Sequence, residues 1–195
     1  MTNEQYYELI GPYHDANEIL LTRLSVLDKN LYDKDAICPI HNMQHRIKKK
    51  KSIEAKLRRR DLTDSLQNAK DHLMDIAGIR VICYFVEDIY NLAELVKKQM
   101  DLIVIKERDY ISNPKPNGYR SYHMVVGIPV YYLDVMEYFP VEIQFRTISM
   151  DFWASMEHRI NYKKNRVDKQ EVAKELLECA KSLEEIEERF KSSVV

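Results

Sequence analysis

Strict alternation of apolar and polar residues over the segment 141–147 constrains this chain more than any other feature. As a β-strand, the segment has one apolar face and one polar face, with Val141, Ile143 and Phe145 opposite Glu142, Gln144 and Arg146. An edge strand whose polar face is solvated shows the same pattern. A carboxylate, an amide and a guanidinium in one line also suit a charged polar ligand.

A second polar cluster is the sequence Lys-Pro-Asn-Gly-Tyr-Arg-Ser-Tyr-His, which begins at Lys115 and ends at His123. Pro116 fixes its own φ angle, and Asn117-Gly118 tolerates the positive φ that a tight reversal needs. We therefore predict a turn that leads into a strand and gathers two cations, an aromatic ring, a hydroxyl and an imidazole. Together with the polar strand face at 142–146, this cluster favours a nucleotide-binding site.

Charge is distributed unevenly along the 195 residues, although the formal net charge is only −1. The segment 41–60 contains nine Lys and Arg residues and one acid, whereas 168–189 contains eight acids and four Lys and Arg residues. A nearly neutral total argues against indiscriminate nucleic-acid binding, and the basic block indicates a local anion site. With 45% hydrophobic and 31% charged residues, the chain has the composition of a globular protein.

The three cysteines, Cys38, Cys83 and Cys179, have neither the spacing of metal ligands nor that of a disulfide framework. This usage is typical of a reducing cytoplasm. The first residues include Glu4 and Glu8 and lack the apolar core of a secretory signal. The apolar stretches are too short for a membrane span, so we expect a cytoplasmic protein without membrane contact.

Hydrophobic periodicity and turn signals predict strands that alternate with helices. Helices are predicted over 3–28, 52–67, 87–100, 149–162 and 169–190, with a kink or fresh start at Gly11-Pro12 and an N-cap at Ser52. Strands are predicted over 39–47, 79–85, 102–107, 122–128 and 141–146. This order indicates an α/β (α+β) fold with a mixed sheet of about five strands flanked by helices. We expect one domain over 1–195, divided into an N-terminal helical segment (1–30), a core (39–164) and a C-terminal helix (167–192).

The last predicted helix carries a regular apolar stripe. Its members follow spacings of 4, 3, 4, 3 and 4, typical of an a/d seam: Val172, Leu176, Cys179, Leu183, Ile186 and Phe190. The stripe either packs on its own domain or joins two subunits, and it is short for a free coiled coil.

The turn at 115–123 and the strand at 141–147 resemble the synthetase domain of the RelA/SpoT homology family. The resemblance runs over residues 39–164, and the chain length is similar to that of a small alarmone synthetase. It implies a nucleotidyltransferase-like sheet and a Mg²⁺-dependent transfer of pyrophosphate from ATP to the ribose 3′-hydroxyl of GDP or GTP. It also implies a homo-oligomer, with a tetramer as the specific expectation.

The basic block supplies the candidate residues for ATP. Ser52, Lys56 and Arg59 share one face of the predicted helix, although a solvated basic face is the usual fate of such a run. The resemblance implies a set of ATP-binding residues: Arg46, Lys48, Ser52, Lys56, Arg59 and Arg80, with Arg46 and Arg80 on either side of the adenine. It gives no role to Lys49, Lys50, Lys51, Arg58 and Arg60, which we interpret as surface charge.

Asp75 and Glu142 are the candidate catalytic and metal-binding acids. An aspartate before a strand is commonly only a turn residue, but two carboxylates with phosphate oxygens are the ligands that Mg²⁺ prefers. The resemblance implies that both hold the metal and that Glu142 also takes the proton of the attacking hydroxyl.

The candidate residues for the acceptor nucleotide lie in the region 108–144, with Asp151 beyond it. Tyr119 offers a ring on which a purine can stack, although a packed core tyrosine is an alternative, as a core or surface histidine is for His123. The resemblance implies acceptor contacts from Arg108, Lys115, Tyr119, His123, Gln144 and Asp151. Asp151 departs from the family pattern, because guanosine-specific members tend to carry Asn there, and Asp only accepts hydrogen bonds.

Two other functions stay open from the sequence. Some short members of the family are toxins that pyrophosphorylate the 3′ end of tRNA or adenine nucleotides, and Asp151 leaves room for such an acceptor. A non-catalytic module that binds RNA or a nucleotide through the basic block is the second alternative. The intact pair of Asp75 and Glu142 argues against it.

Overall fold

The computed structural model describes residues 1–31, 38–162 and 169–194. The strands in these ranges are β1 (Ile40–Ile47), β2 (Ala77–Cys83), β3 (Ile103–Asp109), β4 (Tyr122–Tyr132) and β5 (Val135–Thr147). The helices are α1 (Asn3–Asn30), α2 (Lys50–Arg58), α3 (Leu66–His72), α4 (Val86–Lys97), α5 (Ile148–Tyr162) and α6 (Lys169–Val194). The expected α+β fold with a five-stranded mixed sheet is confirmed.

The strands lie in the order β1-β2-β5-β4-β3, so β5 is central and β1 and β3 are the edges. β2 and β5 are parallel, and the other neighbouring pairs are antiparallel. The parallel pair makes the sheet mixed, and it brings the segment before β2 next to the middle of β5.

Helices α1 and α4 cover one face of the sheet. Val141, Ile143 and Phe145 are completely buried on that face, where they join α1 residues such as Leu9 and Leu20 in one core. Full burial of each such side chain contributes about 1.5–3 kcal/mol. The alternation read from the sequence is therefore confirmed, and the opposite face of β5 carries the polar residues.

Helix α1 continues through Gly11-Pro12 instead of starting afresh there. Pro12 has no N–H to donate to the preceding turn. The buried residues Leu9, Tyr13, Ala16 and Leu20 lie on both sides of the proline and pack into the same core. This continuous packing face outweighs one missing backbone hydrogen bond.

The prediction of one helix from an N-cap at Ser52 to residue 67 is wrong. The N-cap is Lys49, which makes no side-chain capping bond, and Ser52 lies inside α2. α2 ends at Arg58, and Asp61, with φ of 57°, turns the chain away. A separate helix, α3, then begins at the N-cap Ser65, whose hydroxyl accepts from the Asn68 N–H at 3.1 Å.

The β4–β5 hairpin is longer than the predicted strands. Its two strands stay in register from Tyr122 and Phe145 to Tyr132 and Val135, around a tip where Leu133 has φ of 48°. The sequence argues against this length because proline is depleted in strand interiors. The ladder nevertheless runs through Pro129 and Pro140.

The apolar stripe of α6 divides between two environments. Val172 and Leu176 are buried against Trp153, whose indole N–H donates to the Leu176 carbonyl at 2.7 Å. Further along, Ile186 and Phe190 are exposed. Neither α6 nor any other helix in the described ranges has the length and apolar composition needed to cross a membrane.

Candidate active site

Two rows of mostly polar residues cross the open face of the sheet, and the strand register determines both. The first row runs through Gln44, Arg80, Gln144, His123 and Arg108, on β1, β2, β5, β4 and β3. The second row runs through Arg46, Gly78, Glu142, Val125 and Lys106 in the same strand order. Residues distant in the sequence thus become neighbours on adjacent strands, which are about 4.8 Å apart.

Two cavities open on this face and share Asp75 and Glu142. The β1–β2 cavity, of about 240 Å³, is also lined by Gln44, His45, Arg46, Gly78, Ile79, Arg80 and Gln144. The β3–β4 cavity, of about 370 Å³, is also lined by Lys56, Arg60, Met74, Lys106, Arg108, Tyr110, Lys115, His123 and Val125. The two carboxylates therefore lie on the common wall of two cation-rich cavities.

Asp75 lies just before β2 and is held by two lysines. The Nζ atoms of Lys48 and Lys56 each donate to its Oδ2 at 2.6 Å. Burial favours the neutral acid, but the hydrogen bonds from the two lysines outweigh it and lower the pKa of Asp75. Its Oδ1 is buried and has no hydrogen-bond partner among the described residues. Asp75 therefore presents an ionised carboxylate with one uncommitted oxygen.

Glu142 is the second shared carboxylate. Gln144 Nε2 donates to its Oε2 at 2.8 Å, and His123 Nδ1 lies 3.5 Å from its Oε1. Burial and the charge of Asp75 raise the pKa of Glu142, but the hydrogen bonds from His123 and Gln144 outweigh them and lower it. Glu142 is therefore ionised at neutral pH and can accept a proton.

A closed ring of hydrogen bonds and one ion pair holds Glu142 in place. The Tyr119 hydroxyl is 2.8 Å from His123 Nε2, and Arg146 Nη2 donates both to that hydroxyl, at 3.1 Å, and to Gln144 Oε1, at 3.3 Å. The network assigns the His123 proton to Nδ1, facing Glu142, so that Nε2 accepts from Tyr119. Arg146, Tyr119, His123, Glu142 and Gln144 thus form one ring.

The segment 115–119 forms the tight turn expected from its sequence. The Gly118 N–H donates to the Lys115 carbonyl at 2.8 Å, and Gly118 has φ of 88°, which confirms the need for positive φ at this residue. A Cβ atom on Gly118 would lie 2.7 Å from the Cβ of Ala180. Glycine is thus required twice, by the backbone angle and by the contact with α6.

Cations surround the ring of Tyr119. Lys115 Nζ lies 4.7 Å from its centroid and 4.8 Å from that of Tyr110, and the Arg146 guanidinium carbon lies 5.4 Å from Tyr119. These are cation–π distances. Tyr119 is half-buried and hydrogen-bonded to His123, so it is neither a core tyrosine nor a freely exposed one.

The six residues predicted for ATP divide into three groups. Arg46 and Arg80 line the β1–β2 cavity, and Lys48 and Lys56 bind Asp75. Lys56 also lines the β3–β4 cavity. Ser52 and Arg59 are exposed and line neither cavity.

The predicted acceptor residues are also separated. Arg108, Lys115 and His123 line the β3–β4 cavity, whereas Gln144 lines the β1–β2 cavity. Tyr119 and Asp151 line neither cavity. Asp151 Oδ1 instead lies 3.0 Å from Arg146 Nη1 and 3.2 Å from Arg80 Nη1.

Two cations of the β3–β4 cavity escaped the sequence analysis. Lys106 lies on the edge strand in the row of Glu142, and only the strand register reveals this. Arg60, interpreted above as surface charge, lines the cavity after α2 ends and hydrogen-bonds the His72 carbonyl. The wrong prediction of a continuous helix hid Arg60, because the chain in fact turns at Asp61.

The shared carboxylates fit a divalent cation that is completed by substrate. Among the described residues, no group of three His, Cys, Asp or Glu side chains could hold a metal by itself. Asp75 Oδ1 is an unpartnered, buried carboxylate oxygen beside Glu142. Mg²⁺ is commonly held by one or two carboxylates together with phosphate oxygens and water, so Asp75 and Glu142 suit it.

Comparison with known proteins shows similarity first in sequence. The family model described as "Region found in RelA / SpoT proteins" matches residues 45–167. The GTP pyrophosphokinase YwaC of Bacillus subtilis is 40% identical over 178 residues, which are 91% of this chain and 85% of that protein. The chain therefore belongs to the RelA/SpoT family.

Solved structures give the same result. The crystal structure of small alarmone synthetase 1 from Bacillus subtilis bound to its product pppGpp has a TM-score of 0.85 and 33% identity, covering 97% of this chain and 96% of that one. Small alarmone synthetase 2 from the same organism has a TM-score of 0.82 and 40% identity, covering 96% of both chains.

Proposed function

We propose that this protein transfers pyrophosphate from ATP to the 3′-hydroxyl of GDP or GTP and so makes the alarmone (p)ppGpp. The observation that carries the proposal is the position of Asp75 and Glu142 on the wall shared by two cation-lined cavities. A transfer between two nucleotides needs both substrates to meet at the reacting groups, and a shared wall provides that meeting point. The same reaction is supported by the family, by the GTP pyrophosphokinase YwaC and by the product pppGpp bound to small alarmone synthetase 1.

The β1–β2 cavity is assigned to ATP. Arg46 and Arg80 line it, and guanidinium groups stack on a planar base such as adenine. The triphosphate then extends toward Asp75, where Lys48 and Lys56 provide positive charge. Ser52, in α2, and Arg59, directly after it, stay predicted contacts for the part of the triphosphate that extends beyond the cavity.

The β3–β4 cavity is assigned to the acceptor. Arg108, Lys115 and Lys106 line it and provide positive charge for the 5′-phosphates. Tyr119 lies next to this lining, hydrogen-bonded to His123 and 4.7 Å from Lys115 Nζ, and provides a ring for guanine. Among the described residues, these three cations have no ion pair with a carboxylate at 4.0 Å or less, so an anionic ligand would not have to displace one. The pairing of Asp151 Oδ1 with two arginines gives this acid a role other than the choice of a different acceptor.

Glu142 performs the proton chemistry in this assignment. Its carboxylate accepts the proton of the 3′-hydroxyl while the 3′-oxygen bonds to the β-phosphorus of ATP. The bond from that phosphorus to the bridging α–β oxygen breaks, and AMP leaves. Asp75 and Glu142 would hold Mg²⁺, which neutralises charge on the phosphates when bound.

Two further expectations belong to this proposal. The exposed Phe152, Ile186 and Phe190 on α5 and α6 form an apolar surface suited to an interface, which supports a homo-oligomer, with a tetramer as the specific proposal. A cytoplasmic location agrees with three cysteines that are all free thiols.

A product assay tests the proposed function. Purified protein receives ATP and Mg²⁺ with GDP, GTP, ADP or deacylated tRNA in competition, and chromatography follows AMP and the acceptors. We expect AMP together with ppGpp or pppGpp, and unmodified ADP and tRNA. Product on tRNA or ADP alone would contradict the acceptor assignment, and RNA binding without AMP release would favour the non-catalytic module.

A further inference from the structure

One carboxylate oxygen next to the active site lies between two guanidinium groups, one buried and one partly exposed. Arg146, with a side chain only 7% exposed, donates from Nη1 to Asp151 Oδ1 at 3.0 Å, and Arg80 Nη1 is 3.2 Å from the same oxygen. Burial and the charge of Arg146 lower the pKa of Arg80, whereas Asp151 opposes this effect. The two arginines therefore repel each other, and Asp151 holds them together.

Asp151 and Arg146 line neither cavity, yet their contacts lead to residues of both. Arg80 and Gln144 line the β1–β2 cavity. Tyr119, which Arg146 contacts through Nη2, is hydrogen-bonded to His123 of the β3–β4 cavity. A continuous series of polar contacts thus joins Arg80 to His123 through Asp151, Arg146 and Tyr119.

Through this series of contacts, a nucleotide bound in one cavity can affect the side chains of the other cavity. A ligand that fixes Arg80 also fixes the Asp151 oxygen to which Arg80 is paired. Arg146 is then held in the position that orients both the Tyr119 hydroxyl and the Gln144 side chain. Because binding free energies are reciprocal, a ligand that orders Tyr119 must favour ATP by the same factor.

We propose that Asp151 and Arg146 form a positioning pair that couples the two nucleotide cavities, so that each substrate tightens the binding of the other. The proposal rests on the proposed function for the assignment of ATP and the acceptor to their cavities. Asp151 is then a positioning residue and not an acceptor contact, which gives a physical role to the acid at this position.

Calorimetry on the full chain tests the coupling without turnover. GDP is titrated in the absence and in the presence of saturating α,β-methylene ATP, whose α–β bridge cannot break in the transfer. In the wild type we expect the analogue to lower the Kd of GDP by about fivefold or more, within the usual range of coupling between sites. In Asp151→Asn, which keeps the size and removes the charge, we expect the ratio to fall to about one, as for independent sites.

Two further variants separate positioning from folding. Asp134→Asn makes the same chemical change at the exposed tip of the β4–β5 hairpin, and it should keep the wild-type ratio. Arg146→Lys keeps the charge but loses the planar fork, so it should also lose the coupling. A merely structural defect would instead raise the Kd of each nucleotide bound alone. The ratio of the GDP Kd without the analogue to the GDP Kd with it would then stay at the wild-type value.

Three results distinguish the possibilities. A wild type that binds GDP equally well with and without the analogue overturns the coupling, as does wild-type coupling in both Asp151→Asn and Arg146→Lys. A wild type that couples the nucleotides but releases no AMP from ATP and GDP would sink the proposed function, while the coupling itself would be supported.

Discussion

The two cavities share two carboxylates but are built in different ways. Paired residues of β1, β2 and β5 form most of the β1–β2 cavity. The β3–β4 cavity draws Lys56 from α2, Arg60 from the segment after it, Lys106 from an edge strand and Lys115 from a turn. Strand register thus determines the first cavity, whereas the second depends on how separate parts of the chain pack. The second cavity is therefore more sensitive to changes outside its own lining.

The largest expected effect is on the rate of product formation and comes from a change in the wall that both cavities share. Glu142→Gln keeps the size of the side chain and its bond to Gln144 but removes the proton acceptor. We expect the rate of product formation to fall by about 10²–10⁴-fold, the usual contribution of general base catalysis. Glu137→Gln, an exposed position on the same strand, is the matched control and should retain the wild-type rate. Full activity in Glu142→Gln would remove the assigned base.

A change in the turn at Gly118 should affect the two nucleotides unequally. Gly118→Ala forces a side chain into positive φ and toward Ala180 of α6 at 2.7 Å. The displaced turn carries Lys115 and Tyr119, so we expect the KM of GDP to rise about tenfold, for a cost of about 1–2 kcal/mol. The KM of ATP should change far less.

Gly11→Ala is the control for Gly118→Ala, because a Cβ built on Gly11 meets no described atom within 4 Å outside its chain neighbours and the backbone of its own helix. Gly11 lies in α1 and lines neither cavity, so Gly11→Ala should leave both KM values at the wild-type level. Equal increases in both KM values for Gly118→Ala would contradict the distinction between the two cavities.

The protonation of Glu142 gives a smaller but direct test of the ring. The pKa of Glu142 is lowered despite its burial, so the carboxylate stays ionised below the ordinary glutamate value of about 4.3. Side-chain carboxyl NMR, with the signal assigned by its loss in Glu142→Gln, should give a midpoint below that value. His123→Ala removes the strongest favourable partner and should raise the midpoint. A wild-type midpoint above about 5 would show that burial prevails.

The smallest expected effect is on thermal stability and concerns Glu187, which joins α6 to the end of β5 and the start of α5. Its Oε2 accepts from the hydroxyls of Thr147, at 2.6 Å, and Ser149. Burial raises the pKa of Glu187, so its contribution to stability is complete below the unfolded-state pKa and is lost as the pH rises through the folded-state pKa. Glu187→Gln avoids this loss, and its Tm relative to the wild type should rise by about 1–3 °C between pH 4 and pH 8.

Glu185→Gln, at an exposed position of the same helix, controls for the general loss of one acid in this test. Its Tm difference from the wild type should be the same at both pH values. A Glu187→Gln difference that falls as the pH rises would contradict the sign of the pKa shift.

The sequence predicted the parts of the site that depend on local patterns. Alternation at 141–147 correctly separates the buried Ile143 from the polar Glu142, and the turn chemistry identifies Gly118. Both features follow from one residue and its immediate neighbours. They are independent of how distant segments pack.

The remaining features depend on long-range pairing that a single sequence does not contain. Lys106 becomes a cavity residue because β3 pairs with β4 in a particular register. Asp151 lies in α5, where only the folded chain reveals that Arg80 and Arg146 already hold it. The assignments of Arg46, Arg80, Arg108, Lys115, Tyr119, His123 and Gln144 to individual substrates stay predictions.

Calorimetry of two cavity variants tests the central claim, that ATP and its acceptor occupy separate cavities which meet at Asp75 and Glu142. Arg46→Ala alters only the β1–β2 cavity, and Lys106→Ala alters only the β3–β4 cavity. We predict that Arg46→Ala raises the Kd of α,β-methylene ATP and that Lys106→Ala raises the Kd of GDP. Each increase should be about tenfold, as expected for the loss of a charged contact. The other nucleotide, bound alone, should keep its affinity within about twofold in each variant, since separate sites respond independently. An equal increase in the Kd of both nucleotides in either variant would contradict the two-cavity account. So would an Arg46→Ala variant that loses affinity for GDP alone, or a Lys106→Ala variant that loses affinity for α,β-methylene ATP alone.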